Sequence, residues 1–554
     1  MTNVTVSPSG SSLTTFLGVV IPPEAISGVL STSGLGLVNI HINSVPISGA
    51  VITFTSTLNS TTVTINHTGH GALEGDFVTF TSCELPSQFS SLVTLLVKEH
   101  EVVTVLNSDT YTITLSANAG FTLTNSGLIE AEYQLNKGST TQLLGSGWGA
   151  GTWGADGWNQ PSSEEISTTT GLRIYTQDNF GEDLILCPRG GELFFWRENN
   201  GVSTRAFKIS DFSTSVPLRN RQVMVTSDRH VLSFGTTPVG STALDRLLIR
   251  FSSQENAFDW NPTATNPAGD LRVEDGSTIV QAIKTRREII VLTDTSVHSM
   301  QFIGPPFTFG INRISSNTTA ISPMGAVAVE DAVFWMGKNR FYVYEGRVQP
   351  IPCTVRDHVF NDLNEDAFEK VVAGVNSEFG EVFWFYPSAS VTENDKYVVY
   401  NYEQKIWYVG AFGRSAWIDK GIYEYPMASI ATLVYNHEKT NDDDGTAMTS
   451  FIESSPIDIG DGENFTFVQR LIPDISFNNS ETDAVNQAVF TIKGERFPGT
   501  GYVTSKTVNV GDNATQSFVR VRGRSFGVRI ESSNSLMNWR LGSPRVEIVQ
   551  DGKR

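Results

Sequence analysis

Between about residues 49 and 136, apolar and polar residues alternate with a period of two in the segments VITFTST, TTVTINHT, DFVTFTS, EVVTVLNSDTYTITLSA and IEAEYQL. Successive side chains of a strand point to opposite faces, so this alternation predicts half-buried strands. Turns bearing Gly, Asn and Asp separate them, and together they predict a small β-barrel or sandwich. From 171 to about 470 a looser repeat of roughly forty residues takes over, reading strand, turn, strand, turn, aromatic strand. DLILCPRGGELFFWREN, RQVMVTSDRHVLSFG, TIVQAIKTRREIIVLTDTSVHSMQFIG, AVAVEDAVFWMGKNRFYVYEG and VVAGVNSEFGEVFWFYP are its clearest copies. Such repeated antiparallel units predict an irregular β-propeller of about five to seven blades, with a pair of side-by-side sandwiches as the alternative. From about 473, LIPDISFNNS, AVFTIKGERFPG and the closing FVRVRGRSFGVRIESSNSLMNWRLGSPRVEIVQDGKR predict a β-sandwich that ends in a meander.

Two stretches lack a regular period. Residues 1–48 mix small turn residues with short apolar runs at 16–21 and 35–42, as an arm or platform segment would. Residues 137–170 form a Gly/Trp-rich connector with Trp148, Trp153 and Trp158 spaced five apart. No helix or strand face has that period, so the tryptophans are expected to anchor the connector on neighbouring units; a sugar-binding aromatic platform is the alternative. The expected organisation is therefore all-β and multi-domain: arm 1–48, small β module 49–136, connector 137–170, propeller-like core 171–472 and C-terminal sandwich 473–554.

A length of 554 residues suits three or four compact units, and 33 Phe against 8 Met, amid many Ser, Thr, Asn and Gly, is β composition. A formal charge of -19 disfavours stable duplex binding through phosphate neutralisation and would suit a conduit wall along which DNA must slide, with solubility alone as the equal alternative. Cys83, Cys187 and Cys353 lie more than a hundred residues apart and predict no disulfide framework. The N-terminal MTNVTVSPSGSS lacks a basic region followed by an apolar core, and no apolar run approaches the length of a membrane span.

Catalytic patterns are missing from the sequence. It contains no G-x-S-x-G, H-E-x-x-H or Walker-type loop, no repeated S-x-D-x-G-x-T-W turns, and no compact histidine cluster. The chain is expected not to be an enzyme and to need no cofactor or metal. His67 and His70 have a metal-pair spacing but lack completing ligands, and the intervening glycines read as turns. Asp442, Asp443 and Asp444 precede Gly445 as an acidic loop tip, a candidate lumen or gate loop, with calcium binding as the alternative. Arg520, Arg522, Arg524, Arg529, Arg540 and Arg545 alternate with apolar residues, which predicts one arginine face on adjacent strands. An inter-subunit ion-pair face is the expected use of these six, with nucleic-acid binding as the alternative.

Five stretches carry a resemblance to a known family. TVTINHTGHGALEGDFVTF with VVTVLNSDTYTITLS is similar to a β module that recurs in phage tail proteins. The Gly/Trp connector, the stretches 256–276 and 279–314, and the Arg-rich close resemble tail nozzle or stabilisation proteins of short-tailed bacteriophages. The match is carried chiefly by Trp260, Asn261, Pro262, Ala268, Gly269, Asp270, Leu271, Arg287, Glu288, Thr293, Asp294, Met300, Gln301, Pro305, Pro306, Phe307 and Phe309. The resemblance implies a structural virion protein of the tail, assembled in the host cytoplasm as a homohexameric ring. That ring would dock under the portal and adaptor, carry fibres or spikes, and let double-stranded DNA pass at ejection. The alternative from another class is a tail-associated carbohydrate-binding adhesin or depolymerase.

Overall fold

The computed structural model describes residues 2–4, 52–68, 70, 72, 77–134, 172–201, 206–304, 307–430, 433–458, 463–478, 480–497 and 499–552. The connector tryptophans and nearly all of the arm lie outside these residues.

The period-two segment closes into a barrel. Its strands run Ile52–Ser56, Thr62–Asn66, Thr110–Thr114, Glu99–Asn107, Phe77–Glu84 and Leu123–Gln134 around the circumference. Phe54, Val63, Ile65, Val78, Phe80, Tyr111 and Ile113 fill it, and the short helix Ser90–Leu96 adds Leu92 and Leu96. This core is made of the barrel's own residues.

Six sheets then follow in chain order, inside the range of five to seven expected from the repeat. Blade 1 is Tyr175–Phe180, Asp183–Pro188, Phe194–Trp196 and Phe207–Lys208; blade 2 is Asn220–Val225, Val231–Thr236, Asp245–Phe251 and Gly269–Arg272. Blade 3 is Ile279–Lys284, Ile289–Thr293, Ser296–Gly304 and Thr308–Ser316; blade 4 is Ala326–Val329, Ala332–Met336, Phe341–Tyr344 and Val348–Ile351. Blade 5 is Val372–Asn376, Glu381–Tyr386, Lys396–Asn401 and Ile406–Gly410, and blade 6 contains Ala416–Ile418, Met427–Ile430 and Leu433–Asn436. Blades 1 to 5 are antiparallel meanders in strand order.

Five core clusters among the described residues lie between successive blades, and a small further one packs Leu172 and Ile174 against Met324. Ile185, Phe195, Val223 and Val225 join blades 1 and 2; Leu232, Phe251, Val291 and Met300 join 2 and 3. Ile290, Leu292, Val333 and Trp335 join 3 and 4; Phe334, Phe341, Trp384 and Tyr400 join 4 and 5; Phe383, Phe385 and Trp417 join 5 and 6. A blade packed on both faces needs strands apolar on both faces, and Leu184–Pro188, Ile289–Thr293 and Val382–Tyr386 are buried throughout. Gly374 is required at the last joint, since a Cβ there would lie 2.5 Å from Cγ of Trp417.

The C-terminal unit is a sandwich. One sheet runs Ser450–Glu453, Ser525–Ser532, Gln487–Glu495, Tyr502–Gly511, and the other Ser517–Gly523, Thr466–Ile472, Arg545–Gln550. Val468, Phe490, Ile492, Val519, Val521 and Ile530 form the core between them. The sequence put its start at 473, but strands from Ser450 onward pair here: Phe451 and Ile452 sit opposite Glu531 and Ile530. Both Phe451 and Ile452 are about half exposed, so that strand has no alternating apolar face from which to assign it.

Candidate functional site

The first strands of the blades stand side by side, and their leading ends gather charge. Arg221 is the second residue of blade 2's first strand, and its Nη1 donates to the Thr278 hydroxyl, just ahead of blade 3, at 2.6 Å. Arg189 follows blade 1's second strand; its N–H donates to the carbonyl of Ile174 at 2.7 Å, and the next residue, Gly190, donates to Asn220 at 2.5 Å. Arg246 is the second residue of blade 2's third strand, which runs parallel to the first and so starts at the same end. Glu369 leads into blade 5, and Asp294 follows blade 3's second strand. Asp294 is held below its ordinary value, although burial alone would raise it, because the Ser277 hydroxyl and the Ser277 and Thr278 amides donate to it.

Burial drives the Arg221 guanidinium well below its usual value, and the charges of Arg189 and Arg246 push the same way against Glu369 and Asp294. Arg189 is lowered first by burial, with Arg246 adding to it and Glu369 opposing. A guanidinium does not lose its proton in a protein, so these directions express first the burial of two cations and then the nearness of further positive charge. Arg189 is only 7% exposed, and its Nη1 has no hydrogen-bond acceptor among the described residues. Arg221 is half-buried and Arg246 exposed, so the group opens outward. Gly235, at φ +59°, makes room for it: a Cβ there would lie 2.9 Å from Cδ of Arg221.

Sequence reasoning missed this cluster because its members are scattered over 180 positions. One signal was available: a basic residue stands ahead of or at the start of the first strand in blades 1, 2, 5 and 6, as Arg173, Arg221, Lys370 and Arg414. Lys370 is buried and paired with Glu393 at 2.6 Å.

The anticipated residues fall out differently. Asp442, expected at an exposed acidic tip, is 6% exposed and accepts from the Thr440 hydroxyl at 2.8 Å. Its burial would raise it, but bonds from Thr440 and the Gly445 amide hold it below the usual carboxylate range. Asp443 bridges Thr446, and Asp444 and Gly445 turn the chain with φ +51° and +81°, leaving Asp444 exposed at the tip. The six arginines do not share one face of adjacent strands. Arg520 and Arg522 lie on Ser517–Gly523 in one sheet, Arg529 on Ser525–Ser532 in the other, and Arg540 and Arg545 on two further strands. The chain turns at Arg524 and crosses to the opposite sheet, which period-two counting cannot detect. Arg522 bonds Asp551 at 2.5 Å and lies 4.2 Å from the Phe465 ring centre; Arg524 lies 4.8 Å from that of Phe497. Arg529 bonds Glu453 at 2.9 Å and Glu531 at 2.7 Å. Arg520, Arg540 and Arg545 are exposed.

His70 accepts from the Ala72 amide through Nδ1 at 3.0 Å, which leaves Nε2–H to donate to the Asn107 carbonyl at 3.0 Å. Both ring nitrogens are thus spent on the barrel wall, and burial first, then His70, lowers His67. No cluster of three or more His, Cys, Asp or Glu suited to a metal occurs among the described residues. Burial raises all three thiols, that of Cys353 to about 11, away from nucleophilic ionisation. Glu288 accepts from the Tyr344 hydroxyl at 2.7 Å, and burial first, then Glu288, raises that phenol to about 12. This pair follows the far end of blade 3's first strand, a strand length of roughly 20 Å from Thr278.

No family model and no curated protein matches the chain. Among solved structures it is similar to the endosialidase of phage phi92, at 11% identity over 61% of this chain and 46% of that one, with a TM-score of 0.17. It is also similar to a tryptophan-to-alanine mutant of Synechocystis apocarotenoid oxygenase, at 8% identity over 72% of this chain and 89% of that one, with a TM-score of 0.28. The chain spans about half the length of the phage enzyme.

Proposed function

We propose that this chain is a structural subunit of the tail of a short-tailed bacteriophage, a nozzle protein that acts as one member of a homohexameric ring. In this reading it extends the DNA exit channel below the portal and adaptor, docks fibres or spikes outside, and helps gate genome ejection. It is not an enzyme, and DNA passes it without sequence-specific binding.

The observation that carries the reading is how the residues of the nozzle resemblance are used. Trp260 is fully buried, donates through Nε1 to Ala257 at 2.8 Å, and offers its carbonyl to the buried Arg250 at 2.9 Å. Gly269 lies beneath Phe251, whose Cζ would be 2.7 Å from a Cβ there. Met300 and Phe309 are core residues between blades 2 and 3, Glu288 accepts from Tyr344 of blade 4, and Asp294 accepts from the Ser277 amide ahead of blade 3. Trp260, Gly269, Met300 and Phe309 are thus joints of the scaffold, while Asn261, Pro262, Asp270, Arg287, Gln301 and Phe307 are exposed. It is the packed set on which the architectural reading of the resemblance rests. A net charge of -19 per chain, repeated around a ring, favours sliding of DNA over retention.

Electron microscopy of the purified chain, and of virions labelled on it, tests the proposal. Closed rings with a central bore, located under the portal, are expected. A trimeric spike that binds host glycan would replace this reading with the adhesin.

A further inference from the structure

We propose that Arg189, Arg221 and Arg246 form a binding site for a small oxyanion, a carboxylate or phosphate group, at the end of the propeller where the first strands begin. The reading is independent of the nozzle role and adds a ligand to a part of the fold that the role leaves unused.

Three connections bring the arginines together. The backbone of Arg189 and Gly190 is tied to Ile174 and Asn220, which sit immediately before and at the start of the first strands of blades 1 and 2. The Arg221 side chain reaches across to Thr278 at the lead-in of blade 3. Arg246 is the second residue of a strand that runs parallel to that of Arg221 in the same sheet, with Val231–Thr236 between them, and its charge reaches Arg221. Glu369 and Asp294 lie within electrostatic reach of Arg221 as well, and Asp294 already receives three donors from Ser277 and Thr278.

Packing like charges in a buried place is unfavourable unless an opposite charge joins them. Arg189 meets the same requirement as a single group: it is more than nine-tenths buried, and its Nη1 has no acceptor among the described residues. Guanidinium forks match the two or three oxygens of a carboxylate or phosphate with short, charge-assisted bonds. The Thr278 hydroxyl, which accepts from Arg221, orients that fork. Exposure falls from Arg246 through Arg221 to Arg189, so the group begins at the surface.

Calorimetric titration of the full-length chain at fixed ionic strength tests the site, with inorganic phosphate, N-acetylneuraminate and sodium chloride as separate titrants. Saturable binding of one oxyanion per chain is expected, weakened at least tenfold in Arg246→Ala and in Arg221→Gln, and unchanged in Arg347→Ala, which removes an equal charge from another exposed position. Circular dichroism of Arg246→Ala, whose side chain is exposed, verifies that the fold is kept. Binding of phosphate alone identifies a free ion or phosphate ester as the source, and binding of the sugar acid alone identifies an acidic saccharide; both support the site. Equal heats from chloride, retention of binding in Arg246→Ala, or no saturable binding by either oxyanion overturns it.

Discussion

The side-chain amide of Gln222 donates to the carbonyl of Ala282 at 2.7 Å and accepts from the N–H of the same residue at 2.7 Å. One side chain of blade 2 thereby completes a two-bond ladder step on the free edge of blade 3's first strand. Gln281 repeats the device one blade on, bonding both backbone groups of Ala326 at 3.0 Å. Blade 1 serves blade 2 likewise: the Thr176 hydroxyl accepts from Val223 and the Asp178 carboxylate from Val225, each at 2.9 Å. Every first strand has a neighbour only on its outer side within its own sheet, so unsatisfied inner edges would otherwise be the weakness of the fold. Gln222→Ala leaves both groups of Ala282 without these bonds and is expected to destabilise the chain by about 1–3 kcal/mol in a denaturant titration. A midpoint within error of the parent would show that water replaces the amide at no cost.

The barrel has its own closed circuit of strands and its own core, from Ile52 to Ala131. A chain lacking residues 49–136 is expected to keep a cooperative unfolding transition and the near-ultraviolet signal of the blade tryptophans. Loss of both would mean that the blades need the barrel in order to fold.

The all-β class, the barrel and the recurrence of blades were legible because period two and turn chemistry are local. TVTIN, for instance, buries Val63 and Ile65 and turns its threonines outward, as its alternation says. The start of the sandwich was not legible, because Phe451 and Ile452 pair with a strand some eighty residues later and carry no buried face. The arginine group of Arg189, Arg221 and Arg246 was hidden for a related reason: it exists only where strand ends from different blades meet. Asp442 illustrates the opposite error. Three consecutive acids read as a solvated tip, whereas the turn at Asp444 and Gly445 folds the first of them inward onto Thr440.

Glu453 makes the sandwich sensitive to acid. Hydrogen bonds from Lys493 at 2.6 Å and Arg529 at 2.9 Å hold its carboxyl below the ordinary glutamate value, outweighing burial. A carboxyl lowered by folding contributes its stability above the unfolded value, about 4.5, and loses it as pH falls from there through the folded value. Stability of the parent is therefore expected to drop more steeply below pH 4.5 than that of Glu453→Gln. Parallel pH profiles for the two proteins would remove Glu453 from the acid response.

The arginines divide into two classes with separable consequences for assembly. Arg522 and Arg529 are bonded to Asp551, Glu453 and Glu531 of their own chain, and their guanidiniums cover Phe465 and Phe451. Replacing either with Ala removes charge-assisted bonds and packing within the sandwich and is expected to lower its melting temperature. Arg520, Arg540 and Arg545 are exposed and form no ion pair among the described residues, so in the proposed ring they are the members left to meet acidic groups of a neighbouring subunit. With -19 on every chain, a ring needs such cations where its subunits touch. The triple variant Arg520→Ala, Arg540→Ala, Arg545→Ala is expected to melt like the parent, yet to sediment as a smaller species at moderate salt. Unimpaired ring formation by the triple variant, or a fall in its melting temperature equal to that of Arg529→Ala, would refute the division.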